Sequence, residues 1–272
     1  MNSILAVYEK AMPDALGWQE KIASAAQAGF DALEISIDES DWRLTRLDWD
    51  RASRNQLVSL TRDTGIYINT MCLSGHRKYP MGSADADIRR RSMEIMEKAI
   101  ELSYDLGIRI IQLAGYDVYY EPSTEDSRSY FAENLEKGVR MAATRGIQLG
   151  FETMETDFMN TTEKAMKYVQ MVDSPYLGVY PDIGNLTNGA RNVVADLQTG
   201  EGHICAAHLK ETVAGVFRNR MFGDGRVDFA ADIAELKRQG VGMYTAEFWY
   251  LGEPDYRINL RKAHDYLRPY LR

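Results

Sequence analysis

The sequence predicts an α/β fold: a single (β/α)8 TIM barrel that spans residues 1–272 as one domain. Three observations support this. Short apolar runs with strand character recur eight times, a helical pattern follows each run, and glycine or proline interrupts the chain between most units. The length of 272 residues fits such a barrel, which commonly reaches about 250 residues undivided.

The first half of the chain supplies four strand–helix units. Each helix is expected to end at a glycine, a signal that commonly terminates helices. Strands are predicted at 4–8, 30–37, 66–74 and 108–115, and helices at 18–28, 50–64, 84–106 and 125–145. The closing glycines are Gly29, Gly65, Gly107 and Gly146.

The second half repeats the plan with four more units. Strands are predicted at 147–153, 177–182, 204–210 and 243–249, and helices up to about 172 and at 190–198, 228–238 and 254–267. The connection KETVAGVFRNRMFGDGRVD at 210–228 is long and rich in glycine. Such a loop favours a functional role over a passive one.

Four of the predicted strands end near a residue that can bind a metal ion: Glu152, Asp182, His208 and Glu247. In a parallel barrel, these side chains converge at the carboxyl-terminal mouth, where barrel enzymes keep their active sites. Three carboxylates and one imidazole suit a single divalent ion such as zinc, manganese or cobalt. Any one of the carboxylates alone would equally well cap a helix or pair with a surface cation. Their recurrence at four strand ends favours the metal site.

Composition and charge narrow the possible partners. With 45% hydrophobic and 26% charged residues the chain is typical of soluble globular proteins, and a formal net charge of -8 disfavours nucleic acid. Cys72 and Cys205 stand alone in apolar runs and are expected to be core residues. Without a basic leader or a run of transmembrane length, the sequence predicts a cytoplasmic protein that does not bind membranes.

Long segments of the chain resemble one family. They are YEKAMP, EISIDESDWRLTRLDW, MCLSGHRKYPMGS, IRIIQLAGYDVYYE, VYPDIGNL, HLKET and FGDGRVDF. On these motifs, the chain resembles the phosphopentulose 3-epimerases among the xylose-isomerase-like sugar isomerases and epimerases. The resemblance implies a metal-dependent enzyme that interconverts L-ribulose 5-phosphate and L-xylulose 5-phosphate, and a homodimer.

The resemblance also implies roles for the four strand-end residues. Glu152, Asp182, His208 and Glu247 fall on the family's metal ligands, and the two glutamates act on opposite faces of the substrate. One removes the proton at C3 and the other returns a proton from the far side, through an enediolate that the metal stabilises. The sequence does not indicate which glutamate acts first.

Two departures from the free-ketose epimerases of this superfamily favour a phosphorylated substrate. Those enzymes carry a histidine three residues after the aspartate ligand, where this chain has Asn185, and an arginine soon after the histidine ligand. In this chain Arg218 lies further along a longer loop. Both Asn185 and Arg218 are predicted to bind the substrate.

The resemblance places the phosphate near the first loop and the start of the third long helix. Lys10 is predicted to bind it, although Lys10 could instead balance Glu9. Ser83 and the free amides around it are predicted to complete the anion site. In the basic loop that follows the third strand, His76 is predicted to lie near the substrate, and its basic neighbours Arg77 and Lys78 to face solvent.

Other residues near the strand ends keep two interpretations. Glu34 and Gln112 could contact substrate or metal-bound water, Lys210 could bind a substrate hydroxyl or a carboxylate, and three aromatic residues could line the pocket or pack. The aromatic residues are Tyr119, Tyr120 and Trp249. His203 and His264 are expected to lie outside the site.

Three alternative functions share parts of this pattern, and each differs in one feature. A DNA-repair endonuclease with the same barrel needs more histidines than the four in this chain. An aldose–ketose isomerase, or a 3-epimerase for an unphosphorylated ketose, would use the same ligands and differ in the phosphate pocket. A barrel that binds sugar phosphate without catalysis would not need intact metal ligands.

Overall fold

The computed structural model describes residues 3–272, within which eight parallel strands form one barrel. Apolar residues dominate most strands, as expected for strands buried on both faces. The strands are β1 Ile4–Tyr8, β2 Ala32–Ile37, β3 Tyr67–Leu73, β4 Ile110–Ala114, β5 Gln148–Glu152, β6 Leu177–Tyr180, β7 Ala207–Leu209 and β8 Met243–Ala246. The predicted (β/α)8 fold is confirmed.

Helices connect the strands and cover the outside of the barrel. They are α1 Trp18–Ala28, α2 Asp41–Leu44, α3 Arg51–Thr64, α4 Ala86–Leu106, α5 Glu125–Thr144, α6 Thr162–Val172, α7 Ile183–Gly189, α8 Val193–Gln198, α9 Phe229–Arg238 and α10 Tyr256–Leu267. The short helices α2 and α7 were not predicted. Helix α7 follows β6 directly because Asp182 caps it, accepting the amide of Asn185 at 2.9 Å.

The barrel closes between β6 and β7 through a few backbone bonds rather than a regular strand pair. The strands follow the order β6-β5-β4-β3-β2-β1-β8-β7, each parallel to its neighbour. At the seam, Val179 N donates to the His203 carbonyl at 2.8 Å, and His208 N donates to the Pro181 carbonyl at 2.9 Å. Asp182 and His208 form a parallel bridge at the upper end. Closure of the barrel therefore places these two side chains beside each other.

The apolar core fills the layer between the strands and the helices, whereas the upper interior of the barrel is polar. Leu33, Ile35 and Ile37 of β2 are fully buried in the outer layer. Glu34 and Tyr180 lie among the strands with no exposed surface. No helix in the part of the chain that the structure describes has the length and hydropathy to cross a membrane.

A buried charge cluster secures the end of β1. Glu9 has no exposed surface and binds Lys21 at 2.8 Å, the guanidinium of Arg46, and the amide of Ser36 at 2.7 Å. Burial opposes ionisation of Glu9, but Arg46 and Lys21 outweigh it and lower the pKa of Glu9 to about 2. The rings of Trp18, Trp42 and Trp49 surround the Arg46 guanidinium, with centroids 5.1, 4.9 and 5.9 Å away. The cluster joins the first loop to the helices around it.

Glu9→Gln is expected to destabilise the protein by about 3 kcal/mol at pH 7, because it leaves Lys21 and Arg46 buried without their counter-charge. The folded-state pKa of Glu9 lies below its ordinary value of 4.5, so its contribution is fully present above that pH and disappears as the pH falls toward about 2. Urea unfolding at pH 7 and pH 3.5 measures both effects.

The matched control is Glu136→Gln, which removes an exposed partner of Arg140 on α5. Such surface pairs contribute about 0.5 kcal/mol or less. Equal losses of stability in the two variants would contradict the assignment of a buried, stabilising charge cluster.

Candidate metal centre and substrate pocket

Four potential metal ligands meet at the carboxyl-terminal end of the barrel. Glu152 is the last residue of β5, Asp182 follows β6, His208 is the middle residue of β7 and Glu247 follows β8. One potential ligand atom from each lies within 4.8 Å of the others, and all four residues are buried. The four strand ends therefore converge on one small volume.

The His208 ring is oriented by a carboxylate behind it. Its Nε2 lies 2.8 Å from Oε1 of Glu34, and both side chains are fully buried. The other oxygen of Glu34 accepts bonds from Thr70 at 2.7 Å and Tyr180 at 3.1 Å. His208 Nδ1 faces the cluster, 3.3 Å from Glu152 and 3.7 Å from Glu247. Nδ1 is therefore the nitrogen available to a metal ion, as in other carboxylate–histidine–metal arrangements.

Three carboxylates in one buried site repel one another, and the protein supplies partial compensation. Lys210 Nζ lies 2.5 Å from Asp182 Oδ2 and 3.3 Å from Glu247 Oε2, and Gln112 donates to Glu152. Burial and the nearby Glu247 raise the pKa of Glu152, and burial raises that of Asp182. Burial opposes ionisation of Glu247 as well, but Lys210 and His208 outweigh it and keep its pKa low.

The donor set fits a divalent metal ion. Within residues 3–272, Asp182 Oδ2 and Glu247 Oε2 are buried and accept no hydrogen bond of ordinary geometry. Buried carboxylate oxygens normally have such partners, so these two atoms, whose nearest cationic group is the Lys210 ammonium, suit a further cation. Three carboxylates and an imidazole suit zinc, manganese or cobalt.

A polar pocket with a cavity volume of about 50 Å3 opens above the cluster. Its floor includes Glu152, Glu247 and Lys210. The wall is formed by Tyr8, Lys10, Cys72, Ser74, Arg77, Met154, Glu155, Asn185, Phe217, Arg218 and Trp249.

Three residues predicted to bind the substrate line this pocket: Lys10, Asn185 and Arg218. Lys10 pairs with Asp38 rather than Glu9, whose carboxylate is occupied by Lys21 and Arg46. Asn185 is held by its amide group, which donates to the Thr153 carbonyl at 2.7 Å. The Arg218 guanidinium lies 5.5 Å from the centroid of the Trp249 ring.

The expectations for His76 and Arg77 are reversed in the structure. His76 is buried under the loop, with Nε2 3.1 Å from the Ser92 carbonyl of α4, and burial lowers the pKa of its imidazole to about 4. Arg77 lines the pocket, over the rings of Tyr116 and Tyr119. A 3-10 turn at 75–77 directs consecutive side chains to different sides, and the sequence did not reveal this turn.

Ser83 also lies outside the pocket. Its side chain is fully buried, and its Oγ accepts the amide of Asp85 at 3.1 Å. The neighbouring amide of Ala84 donates to Glu121 at 2.9 Å, so a carboxylate of the protein already occupies the position predicted for an anion. In the structure Ser83 therefore does not line the pocket, and its contribution to a phosphate site stays a prediction.

The remaining residues considered from the sequence divide into those that contact the metal-ligand cluster and those that lie away from it. Glu34, Gln112 and Lys210 contact ligands of the cluster, whereas Tyr119 stacks on Arg77, and Tyr120 is exposed with its hydroxyl bonded to Glu39. His203 precedes β7 at the opposite end of the barrel, and His264 lies on α10. The pocket residues that the sequence did not single out for the site are Tyr8, Cys72, Ser74, Met154, Glu155 and Phe217. Tyr8 and Cys72 lie at the carboxyl ends of their strands, and Ser74, Met154 and Glu155 lie just beyond strand ends. This nearness to a strand end is the one signal that could have indicated these five residues, whereas Phe217 lies well inside the loop after β7.

Comparison with known proteins agrees with this architecture. Residues 22–270 match the family model described as xylose isomerase-like TIM barrel. The chain is 43% identical over 265 residues to the L-ribulose-5-phosphate 3-epimerase UlaE of Salmonella paratyphi C, covering 97% of this chain and 93% of the relative. The same figures hold for the enzyme of that name from Escherichia coli strain ATCC 8739.

Solved structures share the fold at lower sequence identity. The D-allulose 3-epimerase of Methylomonas sp. superposes with a TM-score of 0.83 at 19% identity, over 100% of this chain and 99% of that one. An L-ribulose 3-epimerase gives a TM-score of 0.80 at 19% identity, over 100% and 95%. The IOLI protein with a bound zinc atom gives 0.81 at 16%, over 99% of both chains.

Glu34→Gln is expected to weaken binding of zinc by about 10- to 100-fold. The Glu34 carboxylate orients the His208 ring and increases its basicity as a ligand, and the variant loses both effects. Competition with a chromophoric chelator measures the affinity directly, without any assay of activity.

The control variant is Thr70→Val, which removes a hydrogen bond to Glu34 but leaves the contact between Glu34 and His208 in place. It is expected to change the affinity much less. An unchanged affinity in Glu34→Gln would show that His208 does not depend on Glu34.

Proposed function

The chain belongs to the xylose isomerase-like TIM barrel family, and from this premise we propose that it interconverts L-ribulose 5-phosphate and L-xylulose 5-phosphate by epimerisation at C3. Its relatives at 43% identity are epimerases, and the chain is an isomerase-class enzyme. The substrate is proposed from the names of these relatives and from the charges that line the pocket.

One observation carries the proposal: a four-residue donor set lies at the barrel mouth, and two of its members, Glu152 and Glu247, line a polar pocket there. Glu152, Asp182, His208 and Glu247 would hold one divalent ion, zinc in the first place, with manganese or cobalt as alternatives. When bound, such an ion supplies positive charge that stabilises an enediolate, a contribution of several kcal/mol.

Glu152 and Glu247 are proposed as the groups that move the proton at C3. They reach the pocket from β5 and from the end of β8, three strands apart around the barrel. Two carboxylates on different sides of a bound ketose allow removal of the proton from one face and its return to the other, which inverts C3.

The charges around the pocket support a phosphorylated substrate. Lys10, Arg77 and Arg218 line its wall. Lys10 also pairs with Asp38, and Lys210 on the floor pairs with Asp182 and Glu247. Cationic side chains are the usual partners of phosphate groups. We propose that Lys10 and Arg218 bind the phosphate and that Asn185 contacts the sugar.

A 3-epimerase or isomerase for an unphosphorylated ketose is the alternative, because it would need the same donor set. The three cations on the wall favour the phosphorylated substrate over this alternative. The homodimer and the cytoplasmic location implied by the sequence stay predictions.

The metal-loaded protein in heavy water is expected to incorporate deuterium at C3 of L-ribulose 5-phosphate and to form L-xylulose 5-phosphate, both followed by NMR. Glu152→Gln and Glu247→Gln are each expected to slow formation of the second ketose by at least about 100-fold, because each removes one of the two proton carriers.

Treatment with EDTA is the control for the metal, and activity is expected to return when zinc is added. Absence of label and of product, with L-ribulose 5-phosphate and with free ketoses, would falsify the epimerase proposal.

Lys10→Gln is expected to raise KM for L-ribulose 5-phosphate about tenfold and to leave KM for free L-ribulose unchanged, because it removes one charge-assisted contact to phosphate. Lys78→Gln is the matched control, since Lys78 is exposed and pairs with Asp41 outside the pocket. Steady-state kinetics with both sugars measure the effect. Equal changes for the two sugars would contradict a phosphate contact at Lys10.

A further inference from the structure

A further buried carboxylate, that of Glu211, lies three residues after His208, on the loop between β7 and α9. Glu211 is 2% exposed and accepts three backbone amides: Thr212 at 3.0 Å, Gly223 at 3.0 Å and Val227 at 3.2 Å. No ion pair of Glu211 is present among residues 3–272. A buried carboxylate without a cation depends on such amides for its solvation, so these bonds constrain the loop strongly.

The three amides come from both ends of the loop. Thr212 follows Glu211 directly, whereas Gly223 and Val227 lie 12 and 16 residues further along the chain. The Arg226 amide donates to the Thr212 carbonyl at 2.9 Å and joins the same two ends. The Glu211 carboxylate therefore closes the loop at its base.

Gly225 provides an independent sign of this closure. A Cβ atom at this position would overlap the Glu211 carboxylate and the Thr212 carbonyl. Gly225 does not have a positive φ, so the restriction arises from space and not from backbone conformation. Only glycine lets the returning chain approach the carboxylate this closely.

The part of the loop between the fixed ends carries two pocket residues, Phe217 and Arg218. Arg218 is exposed and, in the described part of the chain, has no ion pair. Its guanidinium lies over the face of the Trp249 ring. The next anchor is Phe222, which is buried and packs against Phe229 and Phe248. The position of Arg218 over the pocket thus depends on the path of the loop.

We propose that Glu211 is a positioning residue that sets the path of this loop and so delivers Arg218 to the phosphate end of the substrate. This inference rests on the proposed function, because it assigns the loop to the selection of phosphorylated over free ketoses. Glu211 itself does not line the pocket, and it acts through Arg218.

Two variants disturb the same contact in different ways. Glu211→Gln replaces one acceptor oxygen by an amino group, and Gly225→Ala forces the carboxylate or the Thr212 carbonyl out of place. Both are expected to raise KM for L-ribulose 5-phosphate about tenfold, to change kcat by less than about threefold, and to leave KM for free L-ribulose unchanged. Zinc affinity, measured by chelator competition, is expected to stay the same.

Matched controls make the same two substitutions, Gly→Ala and Glu→Gln, at positions that do not contact Glu211. Gly242→Ala adds a methyl group where nothing lies within 4 Å, and Glu253→Gln removes a partly exposed carboxylate from the neighbouring loop after β8. Neither is expected to alter the preference between the two sugars. Circular dichroism and thermal unfolding establish that the variants are folded before the kinetics are compared.

The outcomes separate this inference from the proposed function. If the unmodified protein epimerises L-ribulose 5-phosphate and both variants keep its KM, the assignment of Glu211 is wrong. The assignment is also wrong if KM rises equally for the two sugars, or if zinc affinity falls in parallel. If the unmodified protein turns over neither sugar, the proposed function itself fails.

Discussion

Three buried carboxylates lie within 4.8 Å of one another and of one imidazole, and their mutual repulsion is the constraint on which this site depends. A folded barrel that holds such a group must supply positive charge or hydrogen-bond donors for it. Lys210, Gln112 and the His208 ring supply part of this compensation. A divalent cation would supply the rest, so the same arrangement that is costly without metal is suited to binding one.

The barrel closes between β6 and β7, at the strand ends that carry two of the four potential metal ligands. β6 and β7 are joined by isolated bridges, one of which pairs Asp182 with His208, instead of a full ladder. The contacts that close the barrel therefore also bring Asp182 and His208 together in the donor set. Behind the seam, Glu34 links His208 to Thr70 and Tyr180, so β2, β3 and β6 all contribute to the orientation of one ring on β7. Precision in the site comes from strands, and adaptability is left to the loops above them.

The strand ends could be predicted from the sequence because the physics there is simple. A parallel barrel places the residue at the end of each strand at one mouth, so Glu152, Asp182, His208 and Glu247 could be grouped without coordinates. The direction of Glu34 was left open because β2 is buried on both faces, although its alternation places Leu33, Ile35 and Ile37 toward the helices and Glu34 toward the barrel interior.

The loops were less predictable because single turns decide which way a side chain points. The 3-10 turn at 75–77 directs His76 inward and leaves Arg77 on the pocket wall. The partner of Lys10 depended on Lys21 and Arg46, which are distant in sequence and already occupy Glu9. The contacts of Glu211 could not be predicted from the sequence either, because its three partners are backbone amides, which every residue type except proline provides.

The distribution of tryptophan gives the molecule a built-in optical reporter. Of the four tryptophans in the chain, Trp18, Trp42 and Trp49 surround Arg46 on the outer side of the first loop. Trp249 alone lines the pocket, with Tyr8 at its edge and the Arg218 guanidinium near its face. A ligand that draws Arg218 away from the indole alters the surroundings of a single fluorophore, so occupancy of the pocket can be followed by intrinsic emission without any added dye.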